Sequence, residues 1–204
     1  MDMDSRVIVA TSGGYKASPP HAIRFDSLVR HAVNLSGCEG TPRVCTITTA
    51  YGDDSIIRGR LDEAGRIADF AHSNLALFPR PNIEHIEEHL MAQHVIWVHG
   101  GSVAGMLTVW RLHGLDGILR RAWESGVVLA GTSAGSLCWH VGGPTDSYGS
   151  KIDEFVDGLR LLPYGNSVHF DSEPERRAVL TDMILGGRIP VSYCAEDGVG
   201  LVYR

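Results

Sequence analysis

The 204-residue chain has no uncharged apolar run approaching the roughly 18 residues that a membrane-spanning helix needs. Its amino terminus is acidic and polar, so we expect no signal peptide. Basic residues are also fewer than acidic ones. The 18 Lys and Arg against 24 Asp and Glu give a net charge of −6, which argues against a nucleic-acid partner. The four cysteines form no CxxC pair, which indicates free thiols in a reducing, cytoplasmic setting. We therefore expect neither a nucleic-acid nor a membrane partner.

What remains is ordinary globular composition, 44% apolar and 21% charged, in a length that predicts one domain over residues 1–204. Predicted strands cover residues 7–10, 44–48, 75–78, 95–98, 127–130, 191–195 and 199–203. Predicted helices cover residues 22–33, 57–71, 82–92, 103–124 with a break near Gly114, 134–139 and 174–185. This alternation predicts an α/β fold with a mostly parallel sheet and helices on both faces.

One motif carries most of the chemistry. Gly131–Gly135 reads G-x-S-x-G and lies between a predicted strand and a predicted helix. That context is the one a nucleophile elbow requires, in which a sharp turn projects the serine hydroxyl above the sheet edge. The sequence therefore predicts Ser133 as a nucleophile. The alternative is a glycine-rich turn that contains a serine by chance.

A nucleophilic serine needs a base and hydrogen-bond donors for the oxyanion. Among ten histidines, His169 follows a turn cluster and is the candidate base, with a packed or surface histidine as the alternative. His140 ends the helix after the serine and would be carried away from the hydroxyl. The N–H groups of the Gly100–Gly101 turn and of Ala134 are the candidate oxyanion donors, unless that turn merely joins strand to helix.

The segment from Val95 to Trp139 resembles the peptidase E (aspartyl dipeptidase) and cyanophycinase family of serine peptidases. The resemblance rests on three segments: Trp97–Ser102, the helical stretch 107–119 and Gly126–Gly135. The likeness extends more loosely from Val7 to Val202. The resemblance implies a fold like that of the class I glutamine amidotransferases, with serine in place of their cysteine.

The resemblance also implies roles for four residues. Ser133 becomes the nucleophile, His169 the base and Glu196 the acid that orients the base. Asp146 matches an acidic residue that the family has shortly after the nucleophile. Glu196 ends a short apolar run, whereas Asp146 lies in a turn, where aspartate commonly accepts local N–H bonds. We therefore predict that Glu196 orients His169 and that Asp146 shapes the site or faces the substrate.

Substrate binding is assigned to Gly100, Ser102, Arg176 and Arg177. Ser102 stands where the family often has asparagine. The dipeptidases of the family place an arginine beyond the catalytic histidine, and here that region also carries three acids, Asp171, Glu173 and Glu175. Because those acids would oppose an anionic side chain, we predict poor activity on Asp-X dipeptides.

Rival functions come from other classes. His85, Glu88 and His89 match the H-x-x-E-H pattern of inverted zinc metallopeptidases, but Ile86 marks the core face of that predicted helix and turns Glu88 toward solvent. A serine esterase of the α/β-hydrolase type would need Asp146 as its acid, only 13 residues after the serine. A non-catalytic binding protein on the same scaffold is the remaining alternative.

We therefore predict a serine peptidase-like hydrolase that cleaves small peptides through an acyl-enzyme intermediate. No metal or organic cofactor is implied. The residues leave open whether the chain forms a homodimer.

Overall fold

A computed structural model describes residues 6–204, and its strands are short. In chain order they are β1 Ile8–Thr11, β2 Tyr15–Ser18, β3 His21–Phe25, β4 Arg43–Ile47, β5 Ala71–Leu75, β6 Val95–Val98, β7 Val128–Thr132, β8 Gly143–Thr145, β9 Asp153–Phe155, β10 Gly165–Ser167, β11 Ser192–Cys194 and β12 Gly200–Tyr203. The helices are α1 Ser27–Leu35, α2 Ser55–Ile67, α3 Ile86–Met91, α4 Val103–Leu112, α5 Leu115–Glu124, α6 Ala134–Leu137 and α7 Glu175–Leu185, with a 3₁₀ turn at Thr49–Tyr51.

Six strands form the central sheet in the order β12-β1-β7-β6-β4-β5. All neighbours pair in parallel except β12, which runs antiparallel to β1 at one edge. Strands β1, β6 and β7 are buried along their whole length, as expected for strands covered on both faces. The prediction of an α/β fold with a mostly parallel sheet is confirmed.

Helices cover both faces of this sheet. One core cluster packs α4, α5 and α6 against the sheet and includes the fully buried Trp110 and Trp139. A second cluster packs α1 and α2 against the other face around Trp97 and Leu61. Burial on both faces fixes the strand positions, so the loops that follow the strands start from fixed points.

The carboxyl ends of three neighbouring strands meet at one edge of the sheet. Strand β7 lies between β1 and β6, so the residues after each of them converge there. These are Ser12 after β1, Ser133 after β7 and the His99–Gly101 turn after β6. Open α/β sheets bind ligands at this edge. Three two-stranded sheets accompany the central one: β2–β3, β8–β9 and β10–β11.

Several predicted elements differ from the structure. The segment 22–25 continues hairpin β2–β3, and helix α1 begins only after Asp26, whose carboxylate accepts the Leu28 N–H. The strand predicted at 75–78 lies earlier, at β5, because the buried Asp53 carboxylate takes the N–H groups of Leu77 and Phe78. The helix predicted over 82–92 is confined to α3. The break at Gly114 is confirmed, with φ of 66° between α4 and α5.

Residues 1–5, on which the prediction of no signal peptide largely rests, lie outside the described residues. Within residues 6–204, no helix combines the length and the apolar character needed to cross a membrane.

Candidate active site

Ser133 occupies a strained turn between β7 and α6. Its φ of 56° and ψ of −113° lie in a region that residues other than glycine rarely adopt. The flanking glycines make room for this turn: a Cβ at Gly131 would lie 2.5 Å from Gly135 O, and one at Gly135 would lie 2.2 Å from Val98 O. The Ser133 N–H donates to Thr11 O at 3.0 Å. The predicted nucleophile elbow is therefore present in the backbone.

The glycine turn after β6 lies against this serine. A Cβ at Gly100 would lie 3.1 Å from Ser133 Cβ, and one at Gly101 would lie 2.2 Å from Ala50 O. Gly101 has φ of +133° and is exposed. Within residues 6–204, neither the Gly101 N–H nor the Ala134 N–H donates a hydrogen bond. Ala134 begins α6, where an N–H has no partner within the helix, so both N–H groups remain candidate oxyanion donors.

His169 pairs with Asp197. The His169 Nδ1–H donates to Asp197 Oδ1 at 2.5 Å, and the two side chains are 24% and 48% exposed. This hydrogen bond, together with one from Ser172, lowers the pKa of Asp197 below its ordinary value. With Nδ1 carrying the proton, Nε2 of His169 is left as the hydrogen-bond acceptor.

The strands bring this pair to the elbow. Strands β10 and β11 pair in parallel, and their continuations carry His169 and Asp197 respectively. The His169 N–H donates to Ser12 Oγ at 2.8 Å, one residue after the Thr11 carbonyl that binds Ser133. In the described part of the chain, no hydrogen bond joins Ser133 Oγ to His169. Such contacts are often loose without substrate.

With this geometry in place, the comparisons with known proteins decide the family. The model of peptidase family S51 matches residues 8–204. The chain belongs to peptidase family S51. This is a family of serine peptidases, so the predicted resemblance to peptidase E and the predicted peptidase class are confirmed.

The S51 chain is similar to several bacterial proteins. It is 35% identical over 196 residues to "Uncharacterized peptidase YgaJ" of Bacillus subtilis (strain 168), covering 96% of this chain and 82% of that one. A "Putative Peptidase E Protein" from Listeria monocytogenes EGD-e has the same fold, with a TM-score of 0.62, 15% identity and 98% of each chain covered. A peptidase from an acI-B1 Actinobacterium gives a TM-score of 0.65 at 17% identity, covering 97% of this chain and 83% of that one.

The prediction that Glu196 contacts His169 is wrong. Glu196 opens a turn in which its carbonyl accepts the Val199 N–H at 3.0 Å, and its side chain is exposed. Asp197, the next residue of the turn, is held by a hydrogen bond from its N–H to Asp171 Oδ1 at 2.9 Å. The turn therefore aims the carboxylate of Asp197, one residue later than predicted, at the imidazole.

Asp146 lies exposed in the loop after β8 and forms no hydrogen bond or ion pair with His169. Its neighbour Ser147 accepts the Ala104 N–H at 3.4 Å, which places this loop beside the start of α4. The Ser102 hydroxyl caps the same helix by accepting the Gly105 N–H at 3.1 Å. Asp146 thus remains a candidate for facing the substrate, whereas the Ser102 hydroxyl already has an internal partner.

Arg176, predicted to bind substrate, is instead buried, at 3% exposure. Its guanidinium donates to Glu173 Oε2 at 2.7 Å and to Pro144 O at 2.6 Å. A buried arginine that is committed to these partners cannot reach a ligand, so its assignment to substrate is wrong. Arg177 is exposed and stacks over the Phe170 ring at 4.8 Å.

An aromatic rim beside the elbow escaped the sequence analysis. His99, directly before Gly100, stacks on Tyr15 with ring centroids 5.3 Å apart and meets the exposed Tyr51 at 5.8 Å. The Trp97 Nε1–H donates to the Tyr15 hydroxyl at 2.8 Å. Burial lowers the pKa of His99, which favours a neutral ring in this wall. The residues are far apart in sequence, and only the sheet order brings them together.

The zinc alternative fails on geometry. His85 is the capping residue of α3: its carbonyl accepts the His89 N–H at 3.0 Å, but its φ of −105° and ψ of 72° are not helical. The His89 Nε2 is hydrogen-bonded to Ser73 Oγ at 3.0 Å. Across residues 6–204, no group of three or more His, Cys, Asp or Glu side chains is arranged to hold a metal ion.

His140 is buried away from the serine hydroxyl, as predicted. Its Nδ1–H donates to Ser136 O at 2.9 Å, and its Nε2 accepts from the Tyr203 hydroxyl at 3.1 Å. Burial lowers its pKa to about 4, so the imidazole is neutral. The His140 side chain is therefore part of the buried interior next to α6.

Proposed function

We propose that this S51 peptidase cleaves amide bonds of small peptides with Ser133 as the nucleophile. His169 serves as the general base and Asp197 orients it. The N–H groups of Gly101 and Ala134 bind the oxyanion. The observation that carries this proposal is the strained Ser133 turn beside two N–H groups without partners, with the His169–Asp197 pair anchored to the same strand end.

The acylation step follows from these positions. Ser133 Oγ attacks the amide carbonyl carbon and its proton passes to His169 Nε2. The carbonyl oxygen becomes an oxyanion between the two N–H groups, where preorganised donors stabilise developing charge. The Asp197 carboxylate holds Nδ1–H and stabilises the imidazolium.

Collapse of the tetrahedral intermediate breaks the C–N bond. His169 Nε2–H gives its proton to the leaving amine, which departs. Water then loses a proton to His169 as it attacks the acyl-enzyme, the C–Oγ bond breaks to release the acid product, and His169 returns the proton to Ser133 Oγ.

The proposed substrates carry neutral side chains. Of Arg176 and Arg177, the two arginines after His169, Arg176 is hydrogen-bonded to Glu173 and Pro144 and is not free to bind a substrate carboxylate. The aromatic rim of Tyr15, His99 and Tyr51 offers apolar surface instead. A further part of the proposal is a cytoplasmic location, which the free cysteines support because reducing compartments maintain thiols.

The test is hydrolysis of a di- and tripeptide library by the purified protein and by Ser133→Ala. We expect the variant to lose on the order of 10⁶ in kcat and to fold normally, since the hydroxyl lies at the surface of the turn. Labelling by an aryl fluorophosphonate should map to Ser133. Peptide binding without hydrolysis in the wild type would favour the binding-protein alternative. Activity that survives Ser133→Ala would refute the proposal.

A further inference from the structure

We propose that Ser12 is a positioning residue whose hydroxyl holds His169 and the Asp197 turn in register with Ser133. This inference rests on the proposed function and adds a fourth side chain to it. Ser12 is only 3% exposed and lies directly after β1, at the sheet edge where the elbow emerges.

The Ser12 hydroxyl both accepts and donates a hydrogen bond, and each bond goes to one of the two loops that carry His169 and Asp197. It accepts the His169 N–H at 2.8 Å and donates to Ala195 O at 3.2 Å. The Ser12 backbone binds the far side of the same turn, from Ser12 N–H to Val199 O and from Gly198 N–H to Ser12 O, both at 2.9 Å. Ser12 thereby joins the base to both ends of the turn that presents the acid.

The preceding residue fixes the nucleophile. Thr11 O accepts the Ser133 N–H at 3.0 Å, and Thr11 Oγ1 donates to Gly131 O at 3.0 Å. Consecutive Cα atoms are separated by a fixed distance of about 3.8 Å. The two contacts of this dipeptide therefore set the distance between the backbone of the serine and the backbone of the histidine.

His169 depends on this anchor because its backbone is strained. It is not a glycine, yet it has φ of 53°, in the left-handed region. In the described chain, Ser12 Oγ is the acceptor for the His169 N–H. Ala195 O, by contrast, has a second donor in the Phe170 N–H at 3.2 Å. Loss of the hydroxyl therefore leaves the His169 N–H without its partner, while Ala195 keeps one.

The predicted consequence is a loss of turnover with little loss of substrate affinity. A displacement of about 1 Å at a catalytic group can cost on the order of 100-fold in rate. We expect Ser12→Ala to lower kcat by about 10- to 100-fold and to change KM by less than about threefold. Ser12→Thr retains the hydroxyl and should recover kcat to within about fivefold of wild type.

A matched control is Thr46→Val. Thr46 lies on β4, three positions from β1 in the sheet, and is also buried. Its hydroxyl forms hydrogen bonds with His72 and Asn74 of the neighbouring strand β5. It should lose stability as Ser12→Ala does but keep kcat within about twofold. Equal losses of kcat in the two variants would overturn the inference, because both would then report a general effect of weakened folding.

A double-mutant cycle separates positioning from structural support. If Ser12 acts through His169, Ser12→Ala should lower the residual kcat of His169→Ala by less than about threefold. If the double variant instead lost kcat by the product of the two single-variant losses, the inference would be overturned. Wild-type kcat in folded Ser12→Ala would overturn it too. Should Ser12→Ala not fold, Ser12→Cys replaces it, since a thiol fills similar space and bonds weakly. Wild-type kcat in that variant, or its failure to fold, would also overturn the inference.

Failure of the proposed function gives a different pattern. If wild type hydrolyses peptides and Ser133→Ala does not, the function stands whatever Ser12 variants do. If wild type neither hydrolyses peptides nor reacts with the aryl fluorophosphonate, the function fails and the inference fails with it.

Discussion

The pairing of His169 with Asp197 rather than Glu196 makes a sharp prediction about two adjacent carboxylates. Asp197→Asn and Glu196→Gln each remove one negative charge from the same turn, so they change the electrostatic field similarly. Only Asp197 reaches the imidazole, at 2.5 Å. Replacing the acid of a well-buried triad by its amide costs about 10⁴ in kcat. Because Asp197 is 48% exposed, water can replace part of its effect, so we expect a loss of about 10²- to 10³-fold.

The assay is kcat/KM on one peptide substrate for wild type and both variants, with unfolding curves as a control. Glu196→Gln should stay within about threefold of wild type, since that side chain is exposed and has no contact with His169. A larger loss in Glu196→Gln than in Asp197→Asn would refute the assignment. The pair also has a pH signature: the Asp197 pKa is lowered on folding, so its stabilising effect is present above the unfolded pKa and is lost as pH falls through the folded one.

Three further predictions concern residues around this pair. Gly101→Ala should lower kcat and cost about 2 kcal/mol of unfolding free energy in denaturant titrations, because its Cβ would lie 2.2 Å from Ala50 O at φ of +133°. Arg176→Met should lower unfolding free energy by about 2 kcal/mol yet leave KM within about twofold, since its guanidinium serves Glu173 rather than substrate. Burial lowers the pKa of His140 from its ordinary value of 6.5 to about 4 in the folded protein, so the unfolded state binds more protons between those two pH values. Wild type should therefore lose about 2 kcal/mol more than His140→Asn between pH 7 and pH 5 in urea titrations.

The buried strands of the fold could be predicted from sequence because their signal is local. Val95–Val98 and the first three residues of Val128–Thr132 are apolar, and glycine-containing segments follow both runs. The edge strand β5 carries no such signal. Strand β5 reads Ala-His-Ser-Asn-Leu, and only its pairing with β4 makes it a strand. The apolar spacing of Ala22 and Phe25 imitated a helix, although Asp26 is the side chain that caps α1.

The candidate site divides in the same way. Ser133, Gly101 and Ala134 follow buried strands, so the local sequence places them correctly at the sheet edge. The choice between Glu196 and Asp197 depends on the phase of a four-residue turn, in which a shift of one residue changes which carboxylate faces inward. The Asp-Gly pair at 197–198 is a turn signal that could have drawn attention to Asp197, and Gly198 does adopt φ of 79°.

The two halves of the site are therefore held by different forces. The candidate nucleophile and the candidate oxyanion donors extend from β6 and β7, which the central sheet and both core clusters bury. The proposed base, His169, and the proposed acid, Asp197, follow β10 and β11, a pair of three-residue strands. These strands are joined to the other half by the hydrogen bonds that cross from β1 and by the bond from Ser136 Oγ of α6 to Asn166 Oδ1 of β10 at 3.1 Å. We therefore expect catalytic competence to depend on this junction between the halves, where Ser12 lies.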